Sequence, residues 1–255
     1  MKAKLKSSLW AFLRLLKIDA FYRKPGYHYV QDYFGRSAHK QRDVRGLPMF
    51  GELADKVIQA GRVSLYYDRL FTIYQILSNW YIRTGGSEIL NTAEVGVYKG
   101  GTSYFIALLA EQLGLPVRHY CFDTFEGHAA EDINATVDTS HTPKTFDDTS
   151  FEAVREYLKQ FGNVSVHKGR FQNSTDILSD KKMHFVHLDM DIYEPTLFSL
   201  QFLRDRMVRG GVILLDDYGF ETCPGIERAV NEFLPANKDY FGTALLSGQF
   251  ILVKL

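Results

Sequence analysis

Apolar residues Tyr66, Leu70, Ile73, Tyr74, Leu77, Trp80 and Tyr81 recur at helical spacing, and Gly85-Gly86 stops the run. Beyond it, short apolar runs alternate with helical ones. The pattern predicts strands over 89–95, 117–122, 164–167, 184–188 and 212–215. It predicts helices over 102–113, from 149 to about 162, over 195–208 and around 226–234. Gly114 and Pro116 close the first of these, Thr149-Ser150-Phe151-Glu152 fits a capping box, and Pro195 suits a first helical turn. Gly210-Gly211 is read as the end of the 195–208 helix. Two β-rich runs, 240–246 and 249–255, flank Ser247-Gly248, the signal of a two-residue hairpin. Residues 21–60 lack a clear period and read as loops with short helices. The stretch 124–148 also lacks period, and its length suits a lid or binding loop.

Alternating β and α units imply a doubly wound α/β fold, a mostly parallel sheet with helices on both faces. Five such strands followed by an antiparallel hairpin resemble the Rossmann-like, seven-stranded fold of class I S-adenosylmethionine (SAM) methyltransferases. Residues 65–255 would form that domain, with 1–64 as a basic N-terminal extension.

The first strand runs into Glu94-Val95-Gly96-Val97-Tyr98-Lys99-Gly100-Gly101-Thr102-Ser103. Glycines let the chain turn sharply off a strand and let a ligand approach the backbone. Tyr98 stands where a dinucleotide fingerprint needs its second glycine, and Thr102 stands where a P-loop needs its lysine. What remains, acid-x-Gly-x-x-x-Gly-Gly, is similar to the SAM-binding loop of class I methyltransferases; a tight turn without a ligand is the plain alternative. The second strand ends at Asp123, placed to accept both ribose hydroxyls of a nucleoside. Lys168-Gly169-Arg170-Phe171 follows the third, where Phe171 would face the adenine or simply join the core.

The fourth strand ends in Leu188-Asp189-Met190-Asp191 and the fifth in Leu215-Asp216-Asp217. Four carboxylates at adjacent strand ends repel one another, and burial raises their pKa values. A hard divalent cation relieves this, Mg²⁺ first, with Mn²⁺ or Ca²⁺ as alternatives. Solvation, or pairing with Arg204, Arg206 or Arg209, is the structural alternative. His187 is assigned to the core.

These segments, with Phe122-Asp123-Thr124-Phe125-Glu126-Gly127, Ile192-Tyr193-Glu194-Pro195-Thr196 and Gly210-Gly211-Val212-Ile213-Leu214, resemble in order the macrocin O-methyltransferase family, over roughly residues 65–235. The resemblance implies SAM as methyl donor, Mg²⁺, and a small-molecule acceptor bearing a sugar hydroxyl. It implies a donor site of Glu94, Gly96, Tyr98, Gly100, Gly101, Thr102, Ser103, Asp123, Thr124, Phe125, Gly169 and Phe171. Asp189, Asp216 and Asp217 would hold the metal. Asp189, or else Asp191, would take the proton, with His141 from the long loop a distant third.

Composition narrows the picture further. Lys plus Arg equal Asp plus Glu at 30 each, which argues against a nucleic-acid binder. Two cysteines exclude a disulfide scaffold. Within residues 1–46, however, eleven basic residues face three acidic ones. Residues 1–20 show helical apolar spacing, fitting a helix packed on this domain or a second subunit, or one resting on an anionic membrane. A cytoplasmic homo-oligomer, with that peripheral contact as an option, is expected. Competing functions are a glycosyltransferase using Asp189-Met190-Asp191 as a D-x-D metal motif and a methyltransferase-like module without catalysis.

Overall fold

A computed structural model of the 255-residue chain describes residues 44–255. The expected basic helix over 1–20 lies outside the described residues.

The helices are α1 (Pro48–Gln59), α2 (Tyr67–Thr84), α3 (Gly101–Leu113), α4 (Phe151–Leu158), α5 (Tyr193–Leu203) and α6 (Pro224–Ala236). The strands are β1 (Leu90–Val95), β2 (Val117–Asp123), β3 (Val164–Lys168), β4 (Met183–Leu188), β5 (Met207–Leu215), β6 (Tyr240–Ala244) and β7 (Phe250–Lys254). They form one sheet in the order β3-β2-β1-β4-β5-β7-β6. The pairs among β1 to β5 are parallel, while β7 runs antiparallel to β5 and β6 antiparallel to β7. The strand order therefore reverses between β1 and β4, and ligands in such sheets bind beyond the strand carboxyl ends at that point.

Strand alternation sends side chains to two cores. Phe50, Leu70, Leu77, Phe105 and Leu158 bring α1 to α4 onto one sheet face with Leu90, Phe185 and Leu214. Leu200, Leu203, Ile226 and Phe233 bring α5 and α6 onto the other with Val95, Val186 and Ile213. Helix α1, within a stretch read as loops with short helices, contributes Phe50, Leu53, Ala54 and Val57 to the first core.

Three local expectations change. Helix α5 ends at Leu203, and Gly210-Gly211 lies inside β5 rather than at a helix end. The β4–β5 register shifts between Met183↔Met207 and Phe185↔Val212, so the glycines serve a bulge, with Gly210 at φ +76. The cap of α4 is Ser150, whose side chain accepts the Ala153 N–H, while the Thr149 hydroxyl donates to the Tyr98 carbonyl. The last hairpin closes through Leu246-Ser247-Gly248, three residues rather than two: the Leu245 N–H donates to the Gln249 carbonyl and Gly248 sits at φ +88.

Candidate active site

At the end of β1 the chain turns at Gly96, φ +92, against the β4 backbone. A Cβ built on Gly96 would stand 1.8 Å from the Asp189 carbonyl oxygen, so only glycine lets the two strand ends meet. From the neighbouring strand Asp123 accepts the N–H of Tyr98 at 2.7 Å and of Phe125 at 2.6 Å. Tyr98 and Phe125 both have positive φ, 49 and 54, which is costly for non-glycine residues. The Asp123 carboxylate thus pins two strained turns. Burial pushes its pKa up, against the pull of those backbone N–H groups.

Glu94 is placed differently from a ligand-contacting acid. It is 1% exposed, accepts a hydrogen bond from the Ser103 hydroxyl, and lies 3.1 Å from His187 Nδ1. His187 Nε2 is 3.4 Å from Asp216 Oδ1. Thr92, His119 and Ser103 continue the row, with His119 bonded to both hydroxyls. The register pairs Glu94 with His187 across β1 and β4, so alternation alone puts both on the face covered by α3. His187 is in the core, as expected, but as a charged link: burial opposes its protonation, yet Asp216 and Glu94 raise its pKa to about 9. His119, buried and repelled by His187, falls to about 3 and stays neutral.

The four acids at the ends of β4 and β5 converge in part. Single carboxylate oxygens of Asp189, Asp191 and Asp217 all lie within 4.8 Å of one another. Asp216 is engaged elsewhere, accepting from Gln249 Nε2 at 2.8 Å, facing His187, and ion-paired with Arg69. Arg69, in the first turn of α2, also reaches Asp217 Oδ1 at 3.4 Å. Burial raises the pKa of Asp189 well above the usual carboxylate range, reinforced by Asp216, Asp217 and Asp191. Burial and Asp217 do the same to Asp191. Asp216 moves the other way: burial is outweighed by His187, Arg69 and Gln249. Asp191 holds φ 63, another strained non-glycine residue at the site.

These groups share one cavity of about 290 Å³. Of the expected residues, Gly96, Tyr98, Asp123, Thr124, Gly169, Phe171, Asp189, Asp191, Asp216 and Asp217 line it. Glu94, Gly100, Gly101, Thr102, Ser103 and Phe125 are not part of its wall. Gly100 caps α3 at φ +84, and a Cβ on Gly101 would meet the Arg62 carbonyl at 2.5 Å. Phe171 is 4% exposed and packs edge-on against Phe122 and Phe202 while showing one side to the cavity. The 124–148 stretch forms wall through Gly127, His128, Asp132 and Phe146. Sequence reading missed Arg69, Arg170 and Asp132. The Arg170 guanidinium pairs with Asp132 on the cavity rim. Only the unexplained surplus of acids hinted that some arginine would join them.

The sheet with its reversed β7, the glycine turn off β1 and the cavity at the switch point define a class I methyltransferase fold. The chain belongs to the macrocin O-methyltransferase (TylF) family, whose model matches residues 88–239. It is 29% identical over 140 residues to the 8-demethyl-8-(2,3-dimethoxy-α-L-rhamnosyl)-tetracenomycin-C 4′-O-methyltransferase of Streptomyces olivaceus. That alignment covers 51% of this chain and 53% of the relative, so the chain spans about half the length of the curated relative it matches. The O-methyltransferase NovP superposes with a TM-score of 0.65 at 21% identity, over 76% of this chain and 82% of NovP. The calicheamicin methyltransferase CalS11 gives 0.55 at 18%, over 85% and 98%. Both likenesses concern the fold. Among the described residues no helix is long and apolar enough to cross a membrane.

Proposed function

We propose that this chain transfers a methyl group from SAM to a hydroxyl of a sugar carried by a small molecule, with a divalent cation at the acid cluster. The observation that carries the reading is the single cavity in which Gly96, Tyr98 and Asp123 stand beside Asp189, Asp191 and Asp217. Family membership favours methyl over glycosyl transfer, and the sugar acceptor is inferred from the rhamnosyl-tetracenomycin methyltransferase, in keeping with the TDP-rhamnose 3′-O-methyltransferase activity named for CalS11.

Asp123 would accept the ribose hydroxyls, with Phe171 as one wall of the adenine site and the Gly96–Tyr98 backbone alongside the donor. Asp189, or else Asp191, both at the cavity wall, would take the proton of the acceptor hydroxyl. The acid cluster fits a hard cation: the carboxylates of Asp189, Asp191 and Asp217 converge, burial and then carboxylate repulsion drive their pKa values up, and among the described residues the Arg69 guanidinium pairs with Asp216 and Asp217 alone. Asp189 and Asp217 would hold it, with Asp191, or with Asp216 if Arg69 moves aside. Such an ion, when bound, lowers the pKa of a hydroxyl and fixes its direction. The loop wall from His128 to Phe146 excludes water from a reaction in which charge is neutralised.

Arg69 supports a second reading, in which the guanidinium itself balances the acids and no metal is used. Labelled SAM, a panel of glycosylated acceptors and Asp217→Asn separate the readings. Turnover that EDTA stops and Mg²⁺ restores supports the metal, and EDTA-insensitive turnover supports Arg69. Absence of SAM binding by calorimetry would remove both.

A further inference from the structure

Beyond the acid cluster, a second group of unlike ligands meets at the edge of the site. Cys223 Sγ, at the N-terminus of α6, lies 3.6 Å from His141 Nε2 and 3.6 Å from Asp191 Oδ1. All three atoms are within 4.8 Å of one another. We propose that His141, Cys223 and Asp191 form a binding site for a thiophilic divalent ion of the Zn²⁺ type, distinct from the hard-cation site proposed above.

The distances carry this. A tetrahedral zinc ion with Zn–S near 2.3 Å and Zn–N or Zn–O near 2.0–2.1 Å sets its sulfur about 3.5–3.6 Å from each other ligand. Both observed separations match that spacing. The ligand chemistry also differs from the acid trio: thiolate and imidazole select Zn²⁺, Cd²⁺ or Co²⁺ over Mg²⁺. Asp191 alone belongs to both groups.

The surroundings supply what such a site needs. His141 Nδ1 is 3.2 Å from His128 Nε2, and its own Nε2 is 3.0 Å from the Thr222 carbonyl. With Nε2 protonated, the ring donates to Thr222. With Nε2 on a metal, the proton resides on Nδ1 and is donated to His128, the second partner that orients a ligating histidine. Burial and the Asp191 and Asp217 carboxylates keep the Cys223 thiol protonated, so binding releases that proton to solvent. The three ligands come from the 124–148 loop, the β4–α5 turn and the β5–α6 connection. An ion here would clamp the loop to the sheet end and draw Asp191 away from Asp217.

The test uses the full chain titrated with Co²⁺ and Cd²⁺ in saturating Mg²⁺, which occupies hard sites. One equivalent should bind, with near-ultraviolet thiolate-to-metal charge-transfer absorption. Cys223→Ser should abolish the band, leaving Cys121, the other cysteine, as an internal control. His141→Ala should weaken Zn²⁺ by at least about tenfold in calorimetry, and it decides the question should the cysteine variant not fold. No charge-transfer band in the natural sequence, or a band surviving Cys223→Ser, overturns the proposal. So does unchanged Zn²⁺ affinity in His141→Ala.

Discussion

Replacing Gly96 by alanine probes the contact on which the donor turn and the acid cluster both depend. The added Cβ would stand 1.8 Å from the Asp189 carbonyl oxygen and 2.6 Å from its carbon, both backbone atoms. Relief requires the β1 turn and the start of the Asp189–Asp191 segment to separate by about 1 Å or more, the scale of misplacement that costs about 100-fold in rate. Alanine at φ +92 adds roughly 1–2 kcal/mol of backbone strain. Overpacking adds roughly 1–3 kcal/mol. Together these lower the melting temperature by about 5–15 °C for a domain of this size. Gly162→Ala is the control, because nothing lies within 4 Å of its Cβ and its φ is not positive. The assays are thermal melting, SAM titration calorimetry and methyl transfer. A Gly96→Ala protein with the melting temperature of the Gly162→Ala control and unreduced turnover would refute the claim that this contact sets the site.

Asp123→Ala should weaken SAM binding by about 30-fold, since it removes a charged acceptor and releases the Tyr98 and Phe125 turns; unchanged calorimetric affinity would take Asp123 out of the donor site. His187 provides a pH test in EDTA. Its folded pKa of about 9 lies above the reference 6.5, so the stabilisation is complete below pH 6.5 and fades as pH rises through 9, by up to about 3 kcal/mol. His119, shifted the other way, affects only the acid side. Chemical denaturation across pH 6–10 checks this, and stability that rises over that window would contradict it. Arg69→Met leaves Asp216 and Asp217 without their guanidinium, so the variant should melt lower in EDTA and gain a larger Mg²⁺-induced rise than the natural sequence. An identical Mg²⁺ response in both proteins would show that Arg69 does not balance the cluster.

Much of the fold was legible because its signals are local. Short apolar runs located the five parallel strands, and β4 and the second half of β5 are buried throughout, as strands covered on both faces are. Gly210-Gly211 misled because a glycine pair punctuates a bulge as readily as a helix end, and only the pairing of Met207 with Met183 tells them apart. The acids were found because strand ends carry ligands in such sheets, but which of them converge depends on partners far away in sequence. Asp216 turns to Gln249 from β7's approach and to Arg69 from α2, contacts that no spacing encodes. Glu94 reads as a ligand-facing acid by motif, yet pairing with His187 places it beneath α3.

Arg69 has a practical implication for anyone trimming or recombining this enzyme scaffold. It lies upstream of the 88–239 segment by which the family is identified, so a minimal unit cut at β1 would carry the acids without their counter-ion. Grafts between relatives should therefore exchange the α2 segment together with the sheet, because the ion pairs of Asp216 and Asp217 join two stretches of chain that homology treats separately.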